Sequence, residues 1–442
     1  MKGISGAAYP SSGRKLQLWM HIFLSKLRGR IHPAVIVLFA VQGLWFYYDA
    51  TVTSQQHHRP KRKILPVTES SPLSPYYPPS LGQEYNGYSR IFVPKPFPCE
   101  TLMNRAELSS RTGANEGFLF VNEMESGSTI LAGVTARIAQ RMAAKKLAGQ
   151  STDNHANVTK QVCMARLMPM RSRKFQNRDL AKSFLWSVLQ EPVVRIMHKA
   201  FQFARIRNRP VDNVPLNIFQ DYVLNFEQQD YGYYLRTLPV NEKLNPYDTR
   251  YHEEFVRQVL DSYDFLGVKE RFHESLATLQ LLLGLDTADM LYLQSPYVAA
   301  SRPDDPVSSQ TDFYEQWNKG SCREVPSPKV TLEMRGWFHS EEFEAFVQAD
   351  VLMYKAVNTS LDRTIDSLGR DRVERAVKQL DWAISNVKKP CTNTRFPCSV
   401  SGEILLSTDC YFSDVGCGHE CLDRESKSLT TNRAFQKLSE RR

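Results

Sequence analysis

The sequence predicts an α/β fold, a central and mainly parallel sheet flanked by helices, behind an N-terminal transmembrane helix. Three observations predict it. An uncharged apolar run spans Pro33 to Tyr48. Beyond residue 113, short apolar runs suited to buried strands recur, each followed by a turn and a run with helical period. Strands that alternate with helices in this way form a parallel sheet covered on both faces.

Each element has its own signature. Phe118-Leu119-Phe120-Val121 reads as a buried strand, Asn122 to Thr129 (NEMESGST) as a small-residue loop, and Ile130 to Leu147 as a helix. Ile130, Val134, Ile138 and Met142 share one face of that helix. Ser183 to Leu189 is a second strand, broken by Glu191-Pro192, and Val193 to Ile206 is a helix with proline near its start. Pro215 to Gln229 reads as a helix, Tyr263 to Val268 as a strand, Phe272 to Leu283 as an amphipathic helix and Leu291 to Leu293 as a short strand. Glu341 to Leu361 and Asp371 to Val387 are long helices.

The 442 residues carry a net charge of +9, unevenly spread. Residues 1–32 hold Lys2, Arg14, Lys15, Lys26, Arg28 and Arg30 and no acid. Such a flank stays on the cytosolic side of a membrane segment. The run 33–48 falls a little short of the ~20 residues a bilayer needs. Trp45, Phe46, Tyr47 and Tyr48 extend it into the interface, where such rings settle. The alternative is a cleaved signal peptide, against which stands the absence of a small-x-small site after the run. The organisation is then a basic tail (1–32), an anchor (33–48), a Pro/Ser-rich stem (49–112), a lumenal domain (113–390) and a Cys-rich end (391–442). The remaining basic excess shows no basic-aromatic stripe, so nucleic acid is not an expected partner.

All eight cysteines follow the anchor, five of them between Cys391 and Cys421. An even count on the lumenal side predicts disulfides. Cys417, His419 and Cys421 leave a zinc reading open, but no paired C-x2-C knuckle supports one, and no metal is expected. Asn157-Val158-Thr159 and Asn358-Thr359-Ser360 are glycosylation sequons.

The NEMESGST loop is the best candidate site. A loop ending at a helix N-terminus aims free N–H groups and the positive end of the helix dipole at whatever sits there. Ser126, Gly127, Ser128 and Thr129 add close backbone approach and hydroxyl donors. Helix capping alone uses the same residues. The nucleotide P-loop pattern is absent, as are G-x-S-x-G, H-E-x-x-H, G-x-G-x-x-G and D-x-D.

Taken together these segments resemble the Golgi membrane-bound carbohydrate sulfotransferases. Phe118 to Thr129 is similar to the family's 5′-phosphosulfate loop, and Ser183 to Phe203 to its 3′-phosphate strand and helix. Asp230 to Leu235 (DYGYYL) and Asp264 to Leu283 (DFLGVKERFHESLATLQLLL) are similar to later segments of the family, the last being the most specific. The resemblance covers about residues 117–295. It implies a P-loop-like sulfotransferase fold, 3′-phosphoadenosine 5′-phosphosulfate (PAPS) as donor and a glycan or glycolipid as acceptor. Ser126, Gly127, Ser128 and Thr129 would cradle the phosphosulfate and Arg195 would meet the 3′-phosphate. Glu123 or His198 would serve as base. Homo-oligomerisation is left open.

The departures bear on activity. The family's loop lysine is replaced by Met124 or Glu125, its R-D-P by Gln190-Glu191-Pro192, and a helix serine by His198. No histidine lies between His155 and His198, where the family often has one. A carboxylate ~4 Å from the sulfate would repel it by roughly 4 kcal/mol at an effective dielectric of 20. The expectation is a sulfotransferase with activity reduced or lost, or else an inactive glycan-binding or scaffold protein of the same fold. Tyr231, Tyr233 and Tyr234 fit core packing better than sugar stacking. Arg166 and Arg171 to Lys174 fit a solvated turn better than an acceptor site. His252 and His273 read as solvated.

Overall fold

The structure, a computed structural model, describes residues 85–102, 116–122, 128–148, 160–162, 165–169, 172–206, 214–226, 232–240, 248–293, 313–318, 321–325, 330–399, 401–411 and 414–431. The tail, the anchor and residues 49–84 of the stem lie outside them. Among the described residues no helix is long and apolar enough to cross a membrane. All the described elements belong to the unit Ser71–Arg442.

In chain order the elements are β1 (Glu100–Leu102), β2 (Gly117–Asn122), α1 (Ser128–Ala148), β3 (Lys160–Val162), β4 (Ala165–Pro169), β5 (Ser183–Leu189), α2 (Pro192–Ile206), α3 (Leu216–Asp221), α4 (Tyr233–Thr237), α5 (His252–Ser262), β6 (Phe265–Val268) and α6 (Phe272–Leu283). They continue with β7 (Phe313–Asn318), β8 (Ser321–Val325), α7 (Leu332–Phe338), α8 (Glu341–Leu368), α9 (Arg370–Lys388) and α10 (His419–Thr431). A four-stranded sheet has the order β4-β2-β5-β6, and every neighbouring pair in it is parallel. The α/β expectation therefore holds. Two antiparallel pairs, β1 with β3 and β7 with β8, stand apart from it.

Strand β5 is buried along its whole length, as expected of a central parallel strand between helical layers. Phe118, Phe120 and Trp186 pack across β2 and β5, with Trp186 4.7 Å from Phe120 and 5.8 Å from Phe118 between ring centres. Two sequence readings change. Leu291 to Leu293 is not a strand. The Arg137 guanidinium donates to the carbonyls of Ala288 at 2.7 Å and Leu291 at 3.5 Å, so a side chain rather than a sheet edge serves this backbone. The helix begun at Leu216 ends as α-helix at Asp221 and continues as a π-turn over Tyr222–Phe226.

The segment Asp264–Leu283 has a physical logic. A Cβ on Gly267 would stand 2.9 Å from the Ser275 Cβ. Glycine there lets Ser275 lie against β6, where its hydroxyl donates to the Val268 carbonyl at 2.9 Å and accepts the Val268 N–H at 2.8 Å. Arg271 then ties the β6–α6 turn to α8 through Asn358 and Asp362, both at 2.9 Å. Asn358, in one of the two sequons, is thus half-buried within α8 and already bonded.

Disulfides join Cys322 to Cys398, Cys391 to Cys421 and Cys410 to Cys417, and Cys99 is also bonded. Cys417 and Cys421 thus pair with different partners, which removes the zinc alternative built on them. The Cys-rich segment packs on α1. A Cβ on Gly133 would lie 2.5 Å from the Gly416 nitrogen, so two backbones meet there. The basic face of α1 is spent on ion pairs: Arg137 with Asp423, Arg141 with Asp289 and Asp423, and Lys145 with Asp286 and Asp289. Cys391 and Cys421 are 30 residues apart and clamp the end of α9 to α10. Replacing both by serine is expected to cost about 3 kcal/mol, read as a lowered urea midpoint. An unchanged midpoint would show that the packing of α10 holds without the bridge.

Candidate functional site

Because the four strands are parallel, their C-terminal ends share one edge. The chain leaves β2 towards β4 on one side, while β5 lies on the other. Ligands of open α/β sheets bind outside the strand ends where the order reverses in this way. β2 ends at that point, residues 123–127 follow it in the chain, and Gln190-Glu191 follows β5. Glu123, Ser126 and Gly127 lie outside the described residues. Ser128 and Thr129 are the first two residues of α1.

After β5, the first turn of α2 would offer N–H groups to an anion. Glu191 fills that place itself. Its carboxyl oxygens accept the N–H groups of Val193 at 3.0 Å and Val194 at 2.8 Å, while Pro192 opens the helix without a donor. The Glu191 backbone N–H donates to Glu270 Oε1 at 2.9 Å, and Tyr354 Oη donates to Glu270 Oε2 at 3.1 Å. Burial, with the Glu270 charge beside it, pushes the Glu191 carboxyl up to about 8, against the pull of its two N–H donors. Burial also raises Glu270. Tyr354 is raised by burial and then by these two carboxyls.

Arg195, in the first turn of α2, is buried with Asp350 of α8, each 1 % exposed. Its Nη2 donates to Asp350 Oδ2 at 2.9 Å. Its guanidinium carbon stands 4.1 Å from the Tyr233 ring centre and 5.3 Å from that of Tyr234. Asp350 Oδ1 accepts the Tyr234 N–H at 2.8 Å. Tyr234 Oη donates to the Gln190 carbonyl at 2.5 Å and accepts the Gln190 N–H at 3.0 Å. Gly232, at φ 57°, makes the left-handed turn that starts α4 and sets both tyrosines against Arg195. Tyr233 and Tyr234 are therefore core residues, as their spacing implied, while Tyr231 lies outside the described residues.

His198 lies about one turn beyond Arg195 and is half-buried. Burial, with the Lys269 charge next, pushes its imidazole down to about 3. It stays neutral near neutral pH and is a weak base, far from the match to operating pH that general-base catalysis favours. His252, read as solvated, is buried at the start of α5. Arg173 and Lys174 are exposed on a short 3-10 turn.

Sequence reasoning missed Asp350, Glu270 and Tyr354. Glu270 stands inside the K-E-R-F stretch and was legible as part of a motif, but not as the neighbour of Glu191. No group of three or more His, Cys, Asp or Glu among the described residues is arranged to hold a metal. No family model, curated protein or solved structure matches the chain.

Proposed function

We propose that this chain is a Golgi type II membrane protein with a P-loop-like sulfotransferase fold, whose nominal reaction is sulfuryl transfer from PAPS to a glycan or glycolipid hydroxyl. In this reading the activity is reduced or lost. The topology supports the nominal reaction: β2 and α1, which flank residues 123–127 in the chain, meet where the strand order reverses. Ser126, Gly127, Ser128 and Thr129 would cradle the 5′-phosphosulfate there. The observation that carries the loss of activity is that both attractions of the second phosphate motif are satisfied from within. Glu191 occupies the α2 N-terminus and Asp350 occupies Arg195. A 3′-phosphate would have to displace a buried carboxylate before Arg195 could meet it. The same observation favours the second reading, an inactive glycan-binding or scaffold protein of this fold.

Transfer of this kind rests on positioned positive charge, by analogy with phosphoryl transfer. Restoring a cation should therefore restore donor binding. Calorimetry with 3′-phosphoadenosine 5′-phosphate is expected to find wild-type binding weaker than micromolar. Glu125→Lys, or Met124→Lys in the other register, should strengthen it at least ~fivefold, and adding Gln190→Arg should strengthen it further. Glu116→Lys is the control. Glu116 pairs with Lys182 beside the start of β2, at the other end of that strand from the loop. Micromolar wild-type binding that the loop lysine weakens would overturn the degraded site and favour an active enzyme.

A further inference from the structure

Outside that site, one side-chain constellation has no structural element to explain its composition. His273 is the second residue of α6, just past the C-terminal end of β6. Its Nε2 lies 2.8 Å from Tyr292 Oη, and its Nδ1 pairs with Asp381 of α9. Burial, and then the Asp381 charge, hold the Tyr292 phenol above its ordinary range, so the oxygen keeps its proton. The phenol is then the donor to Nε2, and the imidazole donates through Nδ1 to Asp381. Phe272 completes the group, its ring 5.4 Å from that of Tyr292 and nearly perpendicular to it.

This group is open to ligand. His273 is 35 % and Asp381 50 % exposed at the side chain, and Phe272 and Tyr292 are half-buried. Asp381 commits one oxygen to His273, and no second bond to it is found among the described residues. The Tyr292 oxygen spends its proton on His273 and keeps acceptor capacity. The group also lies beside the C-terminal end of β6, at the same sheet edge as the C-terminal end of β2. Neighbouring strands are about 4.8 Å apart, so β6 stands roughly 10 Å from β2, within the span of a nucleotide and a sugar.

We propose that Asp381, Tyr292 and Phe272, held in place by His273, form a subsite for a neutral sugar ring. An aromatic ring suits the apolar C–H face of a pyranose, while a carboxylate oxygen and a phenol oxygen accept from its hydroxyls. His273 is a positioning residue: bonded on both nitrogens, it fixes the two oxygens against each other. The ring-facing oxygens of Asp381 and Tyr292 are acceptors, so the carboxylate of an acidic sugar finds no donor between them. Naming this the acceptor end of the site rests on the proposed function. Sugar binding itself does not.

The test uses the full chain purified in detergent and saturation-transfer NMR. The probes are the methyl β-glycosides of galactose, glucose and N-acetylglucosamine, with methyl β-glucuronide as the acidic comparison. At least one neutral glycoside should bind at millimolar strength, with the glucuronide at least tenfold weaker. Tyr292→Phe, which keeps the ring, and Asp381→Ala should each weaken binding at least fivefold. Both should leave 3′-phosphoadenosine 5′-phosphate binding unchanged. No binding by any neutral glycoside, or equal binding by wild type and Tyr292→Phe, would overturn the subsite. Failure of the nucleotide titration with the sugar titration intact would overturn the active-enzyme reading and leave the inactive glycan-binding one.

Discussion

Replacing Asp350 with alanine is expected to destabilise the protein by about 3–5 kcal/mol, the cost of leaving a buried cation without its partner. Arg195 sits near the start of α2 with 1 % of its side chain exposed, so water cannot take the place of the carboxylate. The Tyr234 N–H, which donates to the other oxygen of Asp350, loses its acceptor as well. Asp350→Asn keeps an oxygen for that N–H and should cost less. The double variant Arg195→Met, Asp350→Leu removes both charges and should recover most of the loss, because a buried ion pair gains little over an apolar pair of similar size. Urea unfolding of the four proteins gives the order. An Asp350→Ala variant within about 1 kcal/mol of wild type would mean that water reaches Arg195. It would then be open to a phosphate, and the donor motif would not be closed.

That arrangement also shows where sequence reasoning ends. Strand β5 was legible because a central parallel strand is apolar on both faces, and Ser183–Leu189 is an uninterrupted apolar run apart from two small serines. The Gly267–Ser275 spacing was legible as a motif, and its reason, a hydroxyl fastened to one residue of β6, is local. Strand β4 was not legible. Its ARLMP holds an arginine and a proline, as an outer strand of the sheet tolerates, and it joins β2 by backbone pairing. Asp350 lies 155 residues from Arg195, and nothing in the period of α8 marks it out as a counter-ion. His273 read as a solvated residue because its partners come from α9 and from the chain after α6. Local pattern reports which face of an element is apolar. Which polar residues meet across elements depends on packing that no window of sequence contains.

Stability is expected to be greatest between about pH 4.5 and 6.5 and to fall on both sides, since two groups at neighbouring positions of the fold carry opposite shifts. The Glu191 carboxyl rises from 4.5 to about 8 in the folded chain. Its contribution is full below 4.5 and is lost as pH rises through 8, because the unfolded chain sheds a proton that the folded chain holds. The His198 imidazole falls from 6.5 to about 3. Its contribution is full above 6.5 and is lost as pH falls towards 3, because the unfolded chain gains a proton that the folded chain refuses. Between 4.5 and 6.5 the two slopes cancel. Above 6.5 only the carboxyl counts, and stability should decline by up to about 1.4 kcal/mol per pH unit. Glu270, raised by burial, tilts the plateau gently downward towards its alkaline side and steepens the decline beyond it. Below 4.5 only the imidazole counts, joined by Asp289, whose carboxyl is lowered against its burial by Arg141 and Lys145. Urea midpoints from about pH 3.5 to 8.5 should trace this plateau. Glu191→Gln with Glu270→Gln should flatten the alkaline limb and leave the acid limb in place, while His198→Gln should do the reverse. A wild-type midpoint that climbs from pH 6.5 to 8 would show that the two carboxyls are ionised in the folded chain, held by the α2 N–H groups and charges strong enough to outweigh burial.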